Sequence, residues 1–179
     1  MKKTKKKKKI YEINGNKFDA KSVYDLYNEI QKAQEKKLIE SFELPQSTKK
    51  KDTKNKFGAA KCQINGHVFD SIMEARFYVY LLSKKKSKKI QKLELQPKFV
   101  LQEKFEKDGK KIRPITYWAD FLVAYDDNNQ VVYDVKGRET PVFKLKKKMF
   151  NHKYRDLTLS CVRYTVKKGW FDIDKEESL

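Results

Sequence analysis

Residues 11–46 align without a gap onto residues 62–97, at a constant shift of 51. Ile13, Asn14, Gly15, Phe18, Asp19, Tyr27, Lys37, Ile39, Glu43 and Leu44 recur as Ile64, Asn65, Gly66, Phe69, Asp70, Tyr78, Lys88, Ile90, Glu94 and Leu95. Such a repeat constrains the fold because the same local signals return in the same order. In each copy Asn-Gly supplies the two positive-φ positions of a tight hairpin. An acidic residue follows where a helix would begin, Asp19 in one copy and Asp70–Ser71 in the other, and both suit an N-cap. The expectation is a duplicated β-hairpin–helix–strand unit, with the first copy a degenerate module over residues 11–46. Residues 1–10 read as a basic tail, disordered by charge repulsion. Residues 47–57 read as a polar linker, 58–173 as the main domain and 174–179 as a tail.

The second copy runs on where the first stops. Ile72, Ala75, Phe77, Tyr78, Leu81 and Leu82 form an apolar stripe at helical spacing over residues 71–83. Residues 90–102 alternate as a strand, with Leu93, Leu95, Pro97, Phe99 and Leu101 on one face. A turn at Lys107-Asp108-Gly109-Lys110 leads to a second strand over 115–125. Residues 126–129 make another turn, and a third strand spans 131–136. A helix over about 142–154 and a final strand over 157–166 complete an α/β order, helix, three strands, helix, strand.

The charge of the chain says what it meets. A formal net charge of +19 calls for a polyanion, either nucleic acid or an anionic membrane surface. No apolar run reaches the ~20 residues needed to span a bilayer, so the membrane is set aside. The lysine-rich start lacks the apolar core of a signal peptide. Two cysteines suit a reducing, cytoplasmic setting. Cys62, His67, His152 and Cys161 have none of the paired spacings of a zinc site.

Candidate chemistry gathers in the strands. Side chains alternate along a strand, so Asp134 and Lys136 share one face while Val131, Tyr133 and Val135 take the other. On a continuous second strand Asp120 shares a side with Trp118 and Leu122. If the two strands pair as a hairpin, Asp120 and Asp134 converge at one end. With the Val135 carbonyl they would offer oxygen ligands for Mg²⁺ or Mn²⁺. Such a metal would polarise a scissile phosphate and lower the pKa of an attacking water. Lys136 would orient or deprotonate that water, or neutralise charge in the transition state. Asp-x-Lys alone carries little, since Asp52-Thr53-Lys54 and Asp108-Gly109-Lys110 repeat it in polar loops. Asp120 carries more, because a carboxylate in an apolar strand needs a partner. Glu74 is a third candidate, although Ser71-Ile72-Met73-Glu74 also fits a helix capping box. Its counterpart in the first copy is Val23, so that copy lacks the carboxylate. Glu94, retained as Glu43, suggests a structural role common to both copies.

Phe69-Asp70-Ser71, Glu74-Ala75, Leu93-Glu94-Leu95-Gln96-Pro97, Tyr117-Trp118-Ala119-Asp120-Phe121 and Asp134-Val135-Lys136-Gly137 resemble the PD-(D/E)XK nuclease superfamily over about residues 58–173. Within it they look like a phage-encoded family likened to Holliday-junction resolvases and transposon-end endonucleases. The resemblance implies a restriction-endonuclease-like α-β-β-β-α-β core and a Mg²⁺-dependent endonuclease site. It implies Glu74 as the helix carboxylate, Asp120 and Asp134 as metal ligands, and Lys136 as the catalytic lysine. Ala119 stands where many members have proline before the central aspartate.

Lys144, Lys147 and Lys148, on the helix after the site, are candidate phosphate contacts, and Lys144 and Lys148 share a face at i, i+4. The reading reached is a Mg²⁺-dependent DNA endonuclease acting on branched or distorted DNA, working as a homodimer. The alternatives are a non-catalytic DNA-binding protein on a nuclease scaffold and a structured-RNA-binding protein.

Overall fold

The computed structural model describes residues 11–13, 16–18, 21–44, 61–127, 129–137 and 139–179. The expected basic tail, the 47–57 linker, the Asn14-Gly15 turn and the Asp19 cap lie outside the described residues. The described chain is mixed α/β, with three helices and several sheets. It falls into two compact units divided after Ser83.

The first unit holds the first copy of the repeat and the hairpin and most of the helix of the second. Strands β1 (Tyr11–Ile13) and β2 (Asn16–Phe18) form a hairpin, followed by helix α1 (Lys21–Glu35) and strand β3 (Phe42–Glu43). Strands β4 (Cys62–Ile64) and β5 (His67–Phe69) form the second hairpin, followed by helix α2 (Ile72–Lys86). The shift of 51 holds for the bounds of both hairpins and both helices. It holds for the helix ends too. Lys37 and Lys88 take φ of 56° and 58°. Leu38 N–H reaches back to Ala33 and Lys89 N–H to Lys84, the six-to-one bond of a Schellman cap.

The copies are joined inside this unit. Strand β3 adds to the second hairpin as a third strand, pairing Phe42 with Ile64 and Glu43 with Gln63. Arg76 of α2 is buried and grips Glu29 of α1 through both Nε and Nη2. A buried guanidinium needs that bidentate partner.

The second unit carries strands β6 (Ile90–Leu95), β7 (Lys98–Gln102), β8 (Phe105–Lys107), β9 (Lys110–Ile112), β10 (Ile115–Trp118), β11 (Phe121–Tyr125) and β12 (Gln130–Val135). Helix α3 (Pro141–Lys153) and strands β13 (Thr158–Thr165) and β14 (Gly169–Asp172) complete it. The main sheet has the order β14-β13-β12-β11-β6. Only the β12–β13 pair, joined through α3, is parallel within it. Thr140 caps α3 by accepting from Phe143 N–H, with Pro141 at the first helical position, where its missing N–H costs nothing. Phe143 and Phe150 of α3 join Phe99, Tyr117, Val132 and Leu159 in one buried cluster.

Two expected strands are broken. Residues 90–102 divide at Gln96-Pro97, and residues 115–125 divide at Ala119-Asp120. The breaks face each other, with Gln96 N–H donating to Asp120 O (2.9 Å) and Ala119 N–H to Pro97 O (3.1 Å). Proline has no ladder donor, so an interruption at this point is its natural place. Past the breaks, β7 and β10 pair with each other and leave the main sheet. Strand β14 was not expected, and the tail folds back on it, bridging Ser178 to Phe171. Among the described residues no helix is long and apolar enough to cross a membrane.

Candidate active site

The strand break delivers Asp120. Strand β11 pairs with β12 in the register Phe121↔Tyr133, so the next step along the ladder faces Asp120 toward Asp134. There the ladder changes character. Asp120 N–H donates to Tyr133 O (3.1 Å), and the Asp120 carboxylate accepts from Val135 N–H at 2.7 Å. A side chain thus takes a backbone partner, which fixes the carboxylate at the end of β12. A residue's N–H and C=O leave a strand on the same side, so the Val135 carbonyl emerges on the Asp120 edge.

Asp134 is 1% exposed. Its Oδ2 accepts a hydrogen bond from the Tyr117 hydroxyl, and its Oδ1 stands 2.5 Å from the Lys136 ammonium. Among the described residues Oδ1 has no hydrogen-bond partner of good geometry. The two charges are in direct contact. Lys136 is therefore the charge partner of Oδ1. Burial lowers the Lys136 pKa, but the adjacent Asp134 and then the charge of Asp120 push harder upward, and the net shift is up. The ammonium lies over the Phe143 ring, 4.8 Å from its centre. Burial, then the charge of Asp134, drives the Tyr117 hydroxyl far above its ordinary pKa, so it remains a donor.

The loop after β12 is held from β13. Lys136 N–H donates to Val162 O at 3.0 Å, and Arg163 donates to the carbonyls of Lys136 (3.3 Å) and Gly137 (2.7 Å). Tyr117 and Arg163 are the residues that reading the chain missed. Tyr117 looked like any core aromatic, and Arg163 was one cation among forty-three. A tyrosine three residues before a strand aspartate is at most a weak signal.

The other candidates are placed as follows. Glu74 belongs to the first unit and is a capping residue. It accepts from Asp70 N–H (3.1 Å) and from the Ser71 hydroxyl (2.8 Å), while its own N–H donates to that hydroxyl (3.2 Å). The reach is to the Asp70 amide, one residue earlier than expected. Glu94 is exposed and near Lys92. Lys144 and Lys148 are exposed on α3. Lys147 does not join them: it is 17% exposed and paired with Glu139 (3.2 Å) and Asp174 (2.5 Å). Trp118 is 59% exposed two residues before Asp120, with the Lys98 ammonium 5.2 Å from its ring centre. Both cysteines are buried thiols whose pKa burial pushes up to about 12.

The donor set fits a hard divalent cation. Within the second unit, no three His, Cys, Asp or Glu side chains gather as a ligand group among the described residues. A cation here would rest on two carboxylates, a carbonyl, water and substrate oxygens, which is how Mg²⁺ is ordinarily held. The observation that favours one is the chemistry of the donors, two carboxylates fixed at the ends of paired strands, Asp120 by Val135 N–H and Asp134 by Tyr117.

Residues 54–169 match the family model described as "Protein of unknown function (DUF1064)". No curated protein and no solved structure matches the chain.

Proposed function

The chain belongs to the DUF1064 family, and we propose that it is a Mg²⁺-dependent DNA endonuclease with a restriction-endonuclease-like core. The observation that carries the proposal is the grouping of Asp120, Asp134 and Lys136 at the ends of paired strands. The supporting order is helix α2, the broken strands β6–β7 and β10–β11, strand β12, helix α3 and strand β13.

Asp120, Asp134 and the Val135 carbonyl would hold the cation. When bound, it supplies polarisation of the scissile phosphate and a lower pKa for the attacking water. Tyr117 holds the Asp134 carboxylate in one orientation, and Val135 N–H does so for Asp120. Lys136, kept charged beside Asp134, donates hydrogen bonds toward the phosphate and offsets the negative charge that grows there. Arg163 fixes the loop from which Lys136 projects. Glu74 acts on α2, by capping it. Lys144 and Lys148 supply phosphate contacts, and the net charge of +19 supplies the long-range attraction. Resolving a junction takes two cuts, so a homodimer is the working unit.

The test incubates the protein with a labelled four-way DNA junction, a matched linear duplex and a structured RNA, in Mg²⁺ and in EDTA. The proposal expects DNA cutting that requires Mg²⁺ and favours the junction. Tight DNA binding with no cutting in Mg²⁺ or Mn²⁺ would replace it with a binding protein on this scaffold. Preference for the RNA would replace it with an RNA-binding role.

A further inference from the structure

Strands β8 and β9 form a hairpin whose every residue is exposed. Among the described residues they pair only with each other, in the register Phe105↔Ile112, Glu106↔Lys111, Lys107↔Lys110. A lone two-stranded ribbon is marginal in water. Its turn is well made, with Asp108 and Gly109 at φ of 51° and 69°, the positive-φ pair that a tight hairpin needs. The pleat puts Phe105, Lys107, Lys110 and Ile112 on one face. Phe105 is 45% exposed and Ile112 38%. That face has an apolar pair at its base, two lysines toward its tip and no strand carboxylate.

The arm is tied to the candidate active site by its own backbone. It grows out of the β7–β10 pair, and β10 leads straight to Asp120. Ile112 and Asp120 are eight residues apart, so extended chain puts them at most about 27 Å apart. That is about eight base-pair steps of duplex.

We infer that the β8–β9 arm is the element that recognises a DNA branch point. Phe105 and Ile112 cover the face of a base pair where stacking is interrupted, and Lys107 and Lys110 hold the phosphates beside it. The inference rests on DNA as the substrate in the proposed function. A continuous duplex presents no free base face and must be unstacked, at a few kcal/mol per step. A branch presents one already open. The apolar pair therefore gains more from a branch than from a duplex, while the lysines bind both. Incision would fall within about eight nucleotides of the branch, by the reach just given.

The experiment compares the parent, Phe105→Ala/Ile112→Ala and Phe105→Trp, binding a four-way junction and a matched duplex in EDTA. 2-Aminopurine at the branch reports stacking. Contacts of this kind are worth about tenfold in affinity. The double variant is expected to lose about tenfold on the junction with duplex affinity unchanged, and to lose the fluorescence change at the branch. Phe105→Trp, which keeps an apolar platform, retains both. Equal losses on junction and duplex, an unchanged junction affinity, or loss of preference in Phe105→Trp would overturn the inference. Because EDTA prevents cutting, these results stand apart from the nuclease proposal. Selective binding lost with the arm supports the inference even if the protein never cuts, and Mg²⁺-dependent cutting indifferent to the arm refutes the inference alone.

Discussion

Tyr117→Phe removes one oxygen from the most buried part of the candidate site. The ring stays, and with it the contacts to Phe99, Phe143 and Phe150. What goes is the hydroxyl that donates to Asp134 Oδ2, in a place where Asp134 is 1% exposed and water cannot substitute. Hydrogen bonds to charged groups are worth about 1.5–3 kcal/mol, and leaving a buried acceptor short costs a similar amount. A loss of about 2 kcal/mol is expected. With a urea dependence of about 2 kcal/mol per molar, the unfolding midpoint drops by about 1 M at unchanged slope. A double-mutant cycle with Asp134→Ala, which removes the acceptor, should return a coupling of about 0.5–3 kcal/mol. A Tyr117→Phe protein as stable as the parent, or a coupling near zero, would refute the claim that this hydroxyl holds the carboxylate.

The lysines of α3 divide by their partners. Lys144→Ala/Lys148→Ala should reduce the slope of log affinity for DNA against log salt by about 1.8, two phosphates at about 0.9 each. Lys147→Met should leave that slope alone and cost about 1 kcal/mol of stability through its lost pairs with Glu139 and Asp174, and the reverse pattern would contradict the assignment. Trp118→Ala should change stability by less than about 0.5 kcal/mol, since the indole is exposed. It should weaken DNA binding by about 1–3 kcal/mol if the indole stacks on a base, and unchanged binding would remove it from the site. Arg76→Met should lower amide protection in α1 by about 2–3 kcal/mol in hydrogen exchange, because it cuts the bidentate pair with Glu29. Protection equal to the parent's would show that the repeat is joined by something else.

Much of the fold was legible because local signals were strong. The repeat carried its hairpins and helices at one fixed shift, while the left-handed caps at Lys37 and Lys88 were not expected. Strand parity placed Asp134 and Lys136 together, and the hairpin turn brought Asp120 to them. Pro97 is a local reason for the first break, but the answering break at Ala119-Asp120 arises from pairing with it across strands, which no local pattern encodes. The join between the copies includes Arg76 meeting Glu29, forty-seven positions apart, which no local pattern encodes either. The roles of Tyr117 and Arg163 arise the same way, from tertiary contact. Lys147 differs from Lys144 only in which acids α3 turns it toward.

The central claim is that Asp120, Asp134 and Lys136 form one cutting site. The measurement is single-turnover cleavage of a labelled four-way junction by the parent, Asp120→Asn, Asp134→Asn and Lys136→Ala across a Mg²⁺ titration, with junction affinity measured in parallel. The account predicts Mg²⁺-dependent cutting by the parent, and a loss of at least about a hundredfold in each variant at near-parental affinity. Cutting that survives Asp134→Asn, or that proceeds in EDTA, would contradict it.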